Sequence, residues 1–207
     1  MKITNKLDEI LNQPAKVKIL RFLFNENDEH TGRAIARTIN MSPSYTHMSL
    51  QELKRTGIIT IRRKGNAVLY KLKGDNYFVK NLVLPLFKKE KSVYSAMITI
   101  VKKSLLKEKE SIVSIAIFGS VAKAQESERS DIDVLIVTVS ADGKKKVAKL
   151  TEDLDLKFAK NFNVAFSPYI LTKNEIVQKY MKNKQIIKSI LNNNTLIYGE
   201  ALERILA

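Results

Sequence analysis

No cysteine occurs among the 207 residues, so disulfide staples and thiolate metal sites are both excluded. No apolar run approaches the roughly 20 residues that a membrane span needs. The start MKITNKLDEIL carries acids where a secretory signal requires an unbroken apolar region, so a cytoplasmic chain with no membrane contact is expected. Internal repeats and low-complexity segments are missing too. Acids are scarce: 21 Asp and Glu stand against 36 Lys and Arg, a formal net charge of +15. The excess is uneven, net +10 over residues 1–89 and +5 over 90–207. Between 54 and 73 there is no acid, and Lys54, Arg55, Arg62, Arg63, Lys64, Lys71 and Lys73 form one basic block. Such a block is the electrostatic footprint of a polyanion-binding surface. What the chain has in plenty is apolar residues, 44% of the total, ample for the cores of one large domain or two small ones.

The densest chemistry lies from Ile117 to Val137, IFGSVAKAQESERSDIDVLIV. An apolar strand runs into Gly119-Ser120, and a second strand opens on Asp131 and Asp133. Strand side chains alternate faces, so the two carboxylates point the same way while Ile132 and Val134 enter a core. Asp is depleted in strands, and two on one face repel unless a cation lies between them. Magnesium takes oxygen ligands, commonly one or two carboxylates together with substrate phosphates. Gly119, without a side chain, lets the backbone approach those phosphates. The bland alternative leaves both acids as solvated turn residues.

Gly-Ser, ten residues, then Asp-Ile-Asp inside apolar strands resembles the signature of the DNA polymerase beta nucleotidyltransferase superfamily in its minimal form. The resemblance implies Mg2+ on Asp131 and Asp133, a nucleoside triphosphate held by Gly119 and Ser120, and charge neutralised by Lys123 or Arg129. It also implies a third carboxylate on the following strand, as general base or second metal ligand. Here that strand, Asn163 to Leu171, contains no acid. Glu175 comes next but belongs to the first turn of a helix after Thr172. Relatives of the minimal form modify small molecules or proteins, antitoxins that adenylylate a toxin partner among them, so a protein acceptor is one candidate.

The first 75 residues read differently. Pro14 opens a helix with Val17, Ile19, Leu20 and Leu23 on its apolar face. Thr31 caps a second that ends near Asn40, and Ser42-Pro43 starts a third that Gly57 stops. A strand Ile58 to Ile61, a basic turn Arg62 to Asn66 and a strand Ala67 to Leu72 follow. This order resembles the winged helix-turn-helix of MarR- and ArsR-like regulators. The resemblance implies double-stranded DNA as partner and a homodimer reading paired half-sites. Ser44, Tyr45, His47, Met48 and Gln51 would face base edges, and Arg62, Arg63 and Lys64 would sit on the wing against phosphate. His47 also reads as a plain surface residue, Tyr45 as packing on the first helix, and the whole unit as a protein-docking module.

Pro85 marks a break or kink in a lysine-rich connector. Val93, Met97, Ile100, Val101 and Leu105 then form a stripe that opens the second domain, and Val147, Leu150, Leu154 and Phe158 form another in a helix from Ala141 to Lys160. Residues 172–207 are expected as short helices ending at Leu196-Ile197-Tyr198, with Tyr198 in packing or lining the nucleotide pocket. The expected fold is α+β: a winged helix over 1–75, a helical connector over 76–89, and a nucleotidyltransferase-like mixed sheet flanked by helices over 90–207. The expected function is magnesium-dependent transfer of a nucleoside monophosphate to an unknown hydroxyl by a DNA-binding protein. The alternative is a regulator whose degenerate transferase domain binds nucleotide or dimerises without catalysis.

Overall fold

The computed structural model describes residues 4–122 and 131–206. The fold is α+β, and the chain divides into two units, Met1–Val93 and Tyr94–Ala207. The stretch expected as a connector, 76–89, lies inside the first unit, with Val79, Val83 and Phe87 buried in its core.

In the first unit a short helix α1 (Lys6–Ile10) precedes α2 (Pro14–Glu26), whose proline sits in the first turn, where no intrahelical donor is required. A two-residue strand β1 (His30–Thr31) leads into α3 (Gly32–Thr38), capped where Thr31 accepts from the Ala34 N–H. Asn40 turns the chain at φ 53° into α4 (Pro43–Arg55), capped by Ser42. Strands β2 (Ile59–Lys64) and β3 (Ala67–Leu72) form a hairpin, and β1 joins its β3 edge. Ile19, Leu20, Leu23, Ile35, Leu50, Leu53 and Ile58 fill the core between helices and sheet. Each fully buried apolar side chain of this size contributes about 1.5–3 kcal/mol. After β3 a π-helical turn (Val79–Val83) runs into α5 (Leu84–Leu105), within which the unit boundary falls. Pro85 therefore follows a widened turn instead of breaking the helix, because the wider ring relieves the missing N–H.

The second unit is a four-stranded mixed sheet in the order β6-β5-β4-β7. Strands β4 (Ile112–Phe118) and β5 (Ile132–Thr138) are antiparallel, and α6 (Gly119–Ala122) follows β4. Helix α7 (Ala141–Phe162) crosses over to β6 (Phe166–Thr172), which pairs parallel with β5. Then come α8 (Lys173–Met181), α9 (Gln185–Asn192), β7 (Asn194–Gly199) antiparallel to β4, and α10 (Leu202–Leu206). The expected short helices of the C-terminal stretch thus enclose a strand. Gly199 is obligatory there: at φ 82° a Cβ would overlap the Val113 carbonyl oxygen. The sheet edges are β7 and the proline-bearing β6. One face, with Ile115, Ile117, Ile132, Val134 and Ile136, packs on Val101 and Leu105 of α5 and on Val147, Leu154 and Phe158 of α7. The other, with Ala116, Leu135, Val137 and Leu171, packs on α8, α9 and α10.

Candidate functional site

Alternation along β5 decides which face carries the chemistry. Ile132, Val134 and Ile136 enter the core on the α7 side, so Asp133 lies with Leu135 and Val137 on the side of α8 and α9. Strand register then draws a row across all four strands: Asn194, Phe118, Asp133, Ser167. Asp133 is half-buried and Asp131, just before the strand, is exposed. Burial, then the Asp131 charge, push the Asp133 carboxyl above the ordinary carboxylate range, while a hydrogen bond with Ser167 pulls it back. The repulsion between these two acids is what a bound cation would relieve.

Gly119 ends β4 at φ 78°, where a Cβ would overlap Asp133 Oδ2 and lie 3.1 Å from its Cγ. Any side chain there would collide with the carboxylate. Ser120 follows in the first turn of α6. Lys123 and Arg129, expected to help with charge, lie outside the described residues. Among the described residues no group of three or more acids, histidines or cysteines gathers as a metal site. The donor set is a carboxylate pair, one member seated against Gly119, and such a pair suits a hard divalent ion completed by phosphate oxygens and water.

Strand β6 carries no acid, and the residue beside Asp133 in the parallel register is Ser167. Sequence reading missed Ser167, because a serine in an apolar strand gives no signal until the register is known. Glu175 is structural: its carboxylate accepts from the Thr172 N–H at 2.7 Å, closing a capping box, and pairs with Lys144 of α7 at 2.8 Å. Tyr198 packs in the core on the α7 side, the face opposite Asp133.

In the first unit, Ser44, Tyr45 and His47 lie exposed along α4, as does Met48. Gln51 does not: it is half-buried and hydrogen-bonds the Tyr70 hydroxyl, because the helix turns it towards β3. Arg62, Arg63 and Lys64 belong to β2, not to the turn, which is only Gly65-Asn66. Gly65 at φ 57° closes that tight connection. Arg62 forks onto Glu29, its Nε 2.8 Å from Oε1 with a second bond from Nη2 to Oε2, so it is already paired. Arg63 and Lys64 are exposed. Between α4 and the hairpin runs a groove of about 920 Å³ lined by Arg33, Ser44, His47, Met48, Asn66 and Val68.

Residues 102–202 match the family model "Polymerase beta, Nucleotidyltransferase". A Methanocaldococcus jannaschii protein named "Putative protein adenylyltransferase" is 38% identical over 81 residues, 39% of this chain and 76% of that one. An "Uncharacterized HTH-type transcriptional regulator" of Mycobacterium tuberculosis is 30% identical over 71 residues, 34% of this chain. The chain spans 61% of that regulator's length. A solved fragment of a possible transcriptional regulatory protein from Mycobacterium bovis shares 26% identity over 44% of this chain and 88% of its own, with a TM-score of 0.34. No described helix is long and apolar enough to cross a membrane. The sheet, the Gly-Ser turn under the carboxylates and the matched residues agree: the chain belongs to the polymerase beta nucleotidyltransferase family, with a winged helix-turn-helix unit ahead of the transferase unit.

Proposed function

We propose that the chain binds double-stranded DNA through its first unit and, through its second, transfers a nucleoside monophosphate from a nucleoside triphosphate to a hydroxyl, with magnesium, in the cytoplasm. The observation that carries this reading is the seating of the Asp133 carboxylate directly against Gly119, where any side chain would displace it, next to the charge of Asp131. Asp131 and Asp133 hold the metal, whose charge, when bound, offsets that of the phosphate oxygens. Ser167 fixes the Asp133 carboxylate. The Gly119 backbone approaches the triphosphate and the Ser120 hydroxyl donates to a phosphate oxygen. The acceptor oxygen attacks the α-phosphorus, the bond to pyrophosphate breaks, and the hydroxyl proton passes to water. The name of the archaeal relative favours ATP as donor and a protein as acceptor.

On DNA, Ser44, Tyr45 and His47 face base edges, and Arg63 and Lys64 contact phosphate from the wing. Gln51 and Arg62 contribute less, being engaged within the protein. An exposed apolar stripe of Leu7, Leu82, Leu86 and Val93 supports a homodimer formed through the first unit.

The test is incubation of the full chain with α-phosphate-labelled triphosphates and magnesium in a lysate of the source cell. Label should reach an acceptor, and Asp131→Asn with Asp133→Asn should abolish it. The acid-free β6, with Ser167 beside Asp133, favours a second reading, a DNA-bound nucleotide sensor. Magnesium-dependent nucleotide binding without transfer of label would select it.

A further inference from the structure

Helix α8 begins where β6 ends and returns across the sheet, packing Ile176 against Leu135, Val137 and Leu171. Its last turn carries Lys179 over the Tyr169 ring, Nζ 5.7 Å from the centroid. Tyr169 lies two residues from Ser167 on the same face, about 7 Å along the strand. The turn joining α8 to α9 is therefore at the carboxylate end of the sheet. That turn is tight and ordered: Asn183 takes φ 56°, its N–H donates to the Tyr180 carbonyl at 2.9 Å, and the Lys184 N–H donates to the Lys179 carbonyl at 3.1 Å.

Around it three large apolar side chains stand in solvent, Tyr180, Ile186 and Met181, the last 72% exposed. Lys182, Lys184 and Lys188 surround them, all exposed. The only acid between 172 and 199 is Glu175, already occupied by Lys144 and the Thr172 N–H. An apolar centre with a basic rim is a docking surface, and its side chains say for what. Single-stranded nucleic acid is held on aromatic platforms with Arg. Here the single ring is Tyr180, the least exposed of the three at 37%, Met181 and Ile186 cannot stack on a base, and residues 172–199 contain no Arg. Methionine and aromatic residues at the centre with a charged rim match a protein interface.

We infer that the acceptor is a protein that docks an acidic segment with apolar anchors on the α8–α9 turn, so presenting its hydroxyl to Asp131 and Asp133. This rests on the transferase reading above, and it adds the partner's charge and the surface that selects it. The probes are fluorescent synthetic peptides, each with one Tyr, Ser or Thr, flanked by Asp/Glu with Leu, by Lys with Leu, or by Asp/Glu alone, and one single-stranded oligoribonucleotide. Binding to the full chain is read by anisotropy without nucleotide, and label transfer is read separately.

The acidic, Leu-bearing peptides should bind at least about tenfold more tightly than the basic ones. Charge reversal (K182E, K184E, K188E together) should invert that preference, a gain of binding that damage to the fold does not produce. Met181→Ser with Ile186→Ser should reduce acidic-peptide binding to that of peptides lacking Leu. Equal binding of acidic and basic peptides, or tighter binding of the oligoribonucleotide that the reversal removes, would overturn the inference. Preferential binding without transfer of label would count against the enzymatic reading and leave the docking surface standing.

Discussion

At Gly119 one missing methyl leaves room for the Asp133 carboxylate. Gly119→Ala puts a carbon into Asp133 Oδ2 and strains a backbone at φ 78°. We expect magnesium-dependent nucleotide binding to fall at least about tenfold, with DNA binding unchanged; isothermal titration with ATP and magnesium measures the first, and unchanged affinity would remove Gly119 from the site. Asp133→Asn relieves a half-buried charge from its neighbour Asp131, so the variant should melt higher while losing nucleotide binding. A lower melting temperature would mean that the two carboxylates are not in conflict. Alternation along an apolar strand puts Asp133 on the face of Leu135 and Val137 without tertiary information, whereas Asp131 precedes the strand. Ser167 was illegible for the opposite reason, since its place beside Asp133 exists only through a parallel pairing across the α7 crossover.

Hairpin and helix ends carry the next level of consequence. Arg62 is held by Glu29, and each lost phosphate contact lowers the salt dependence of binding by about 0.9 in log–log slope. Arg63→Ala with Lys64→Ala should therefore flatten that slope by roughly 2, and Arg62→Ala alone by clearly less. Titrations from 50 to about 200 mM salt decide the matter, and equal effects would show that the Glu29 pair opens on DNA. At α8, Glu175 is held below the usual carboxylate range first by Lys144 and then by the Thr172 N–H. A depressed folded pKa stabilises above the unfolded value, and that contribution disappears as pH falls through the folded one. The melting-temperature deficit of Glu175→Gln should accordingly be present at pH 7, start to shrink as pH falls below about 4.3, and vanish only below the depressed folded value. A deficit constant with pH would point to side-chain shape, not charge. These caps were readable from Thr172 and Glu175 three residues apart, as were Thr31 and Ser42. Strand β7 was not: Asn194 to Gly199 follows an amphipathic helix, and its pairing partner β4 is about 80 residues earlier.

Across the molecule, the two units build their apolar clusters from separate stretches of chain, one in the first and one on each sheet face of the second, and their chemistries should be separable. Asp131→Asn with Asp133→Asn should leave the DNA salt slope unaltered, and the Arg63, Lys64 variant should leave nucleotide affinity unaltered. A cross effect in either titration would reveal coupling between the units. The basic first half was visible in the charge distribution, and the junction, expected between 89 and 90, lies between Val93 and Tyr94. Helix α5 runs through it without a Gly or Pro at Val93 and Tyr94, so composition offers no signal there.

Pro168 lies in β6, an outer strand, where proline is tolerated with its nitrogen facing away from the ladder. A strand from another molecule arriving at that border finds a donor missing, so growth into extended aggregates is discouraged along the outer edge of β6. Polymerisation-resistant behaviour in concentrated solution should thus fail first at the opposite border, along Asn194 to Gly199.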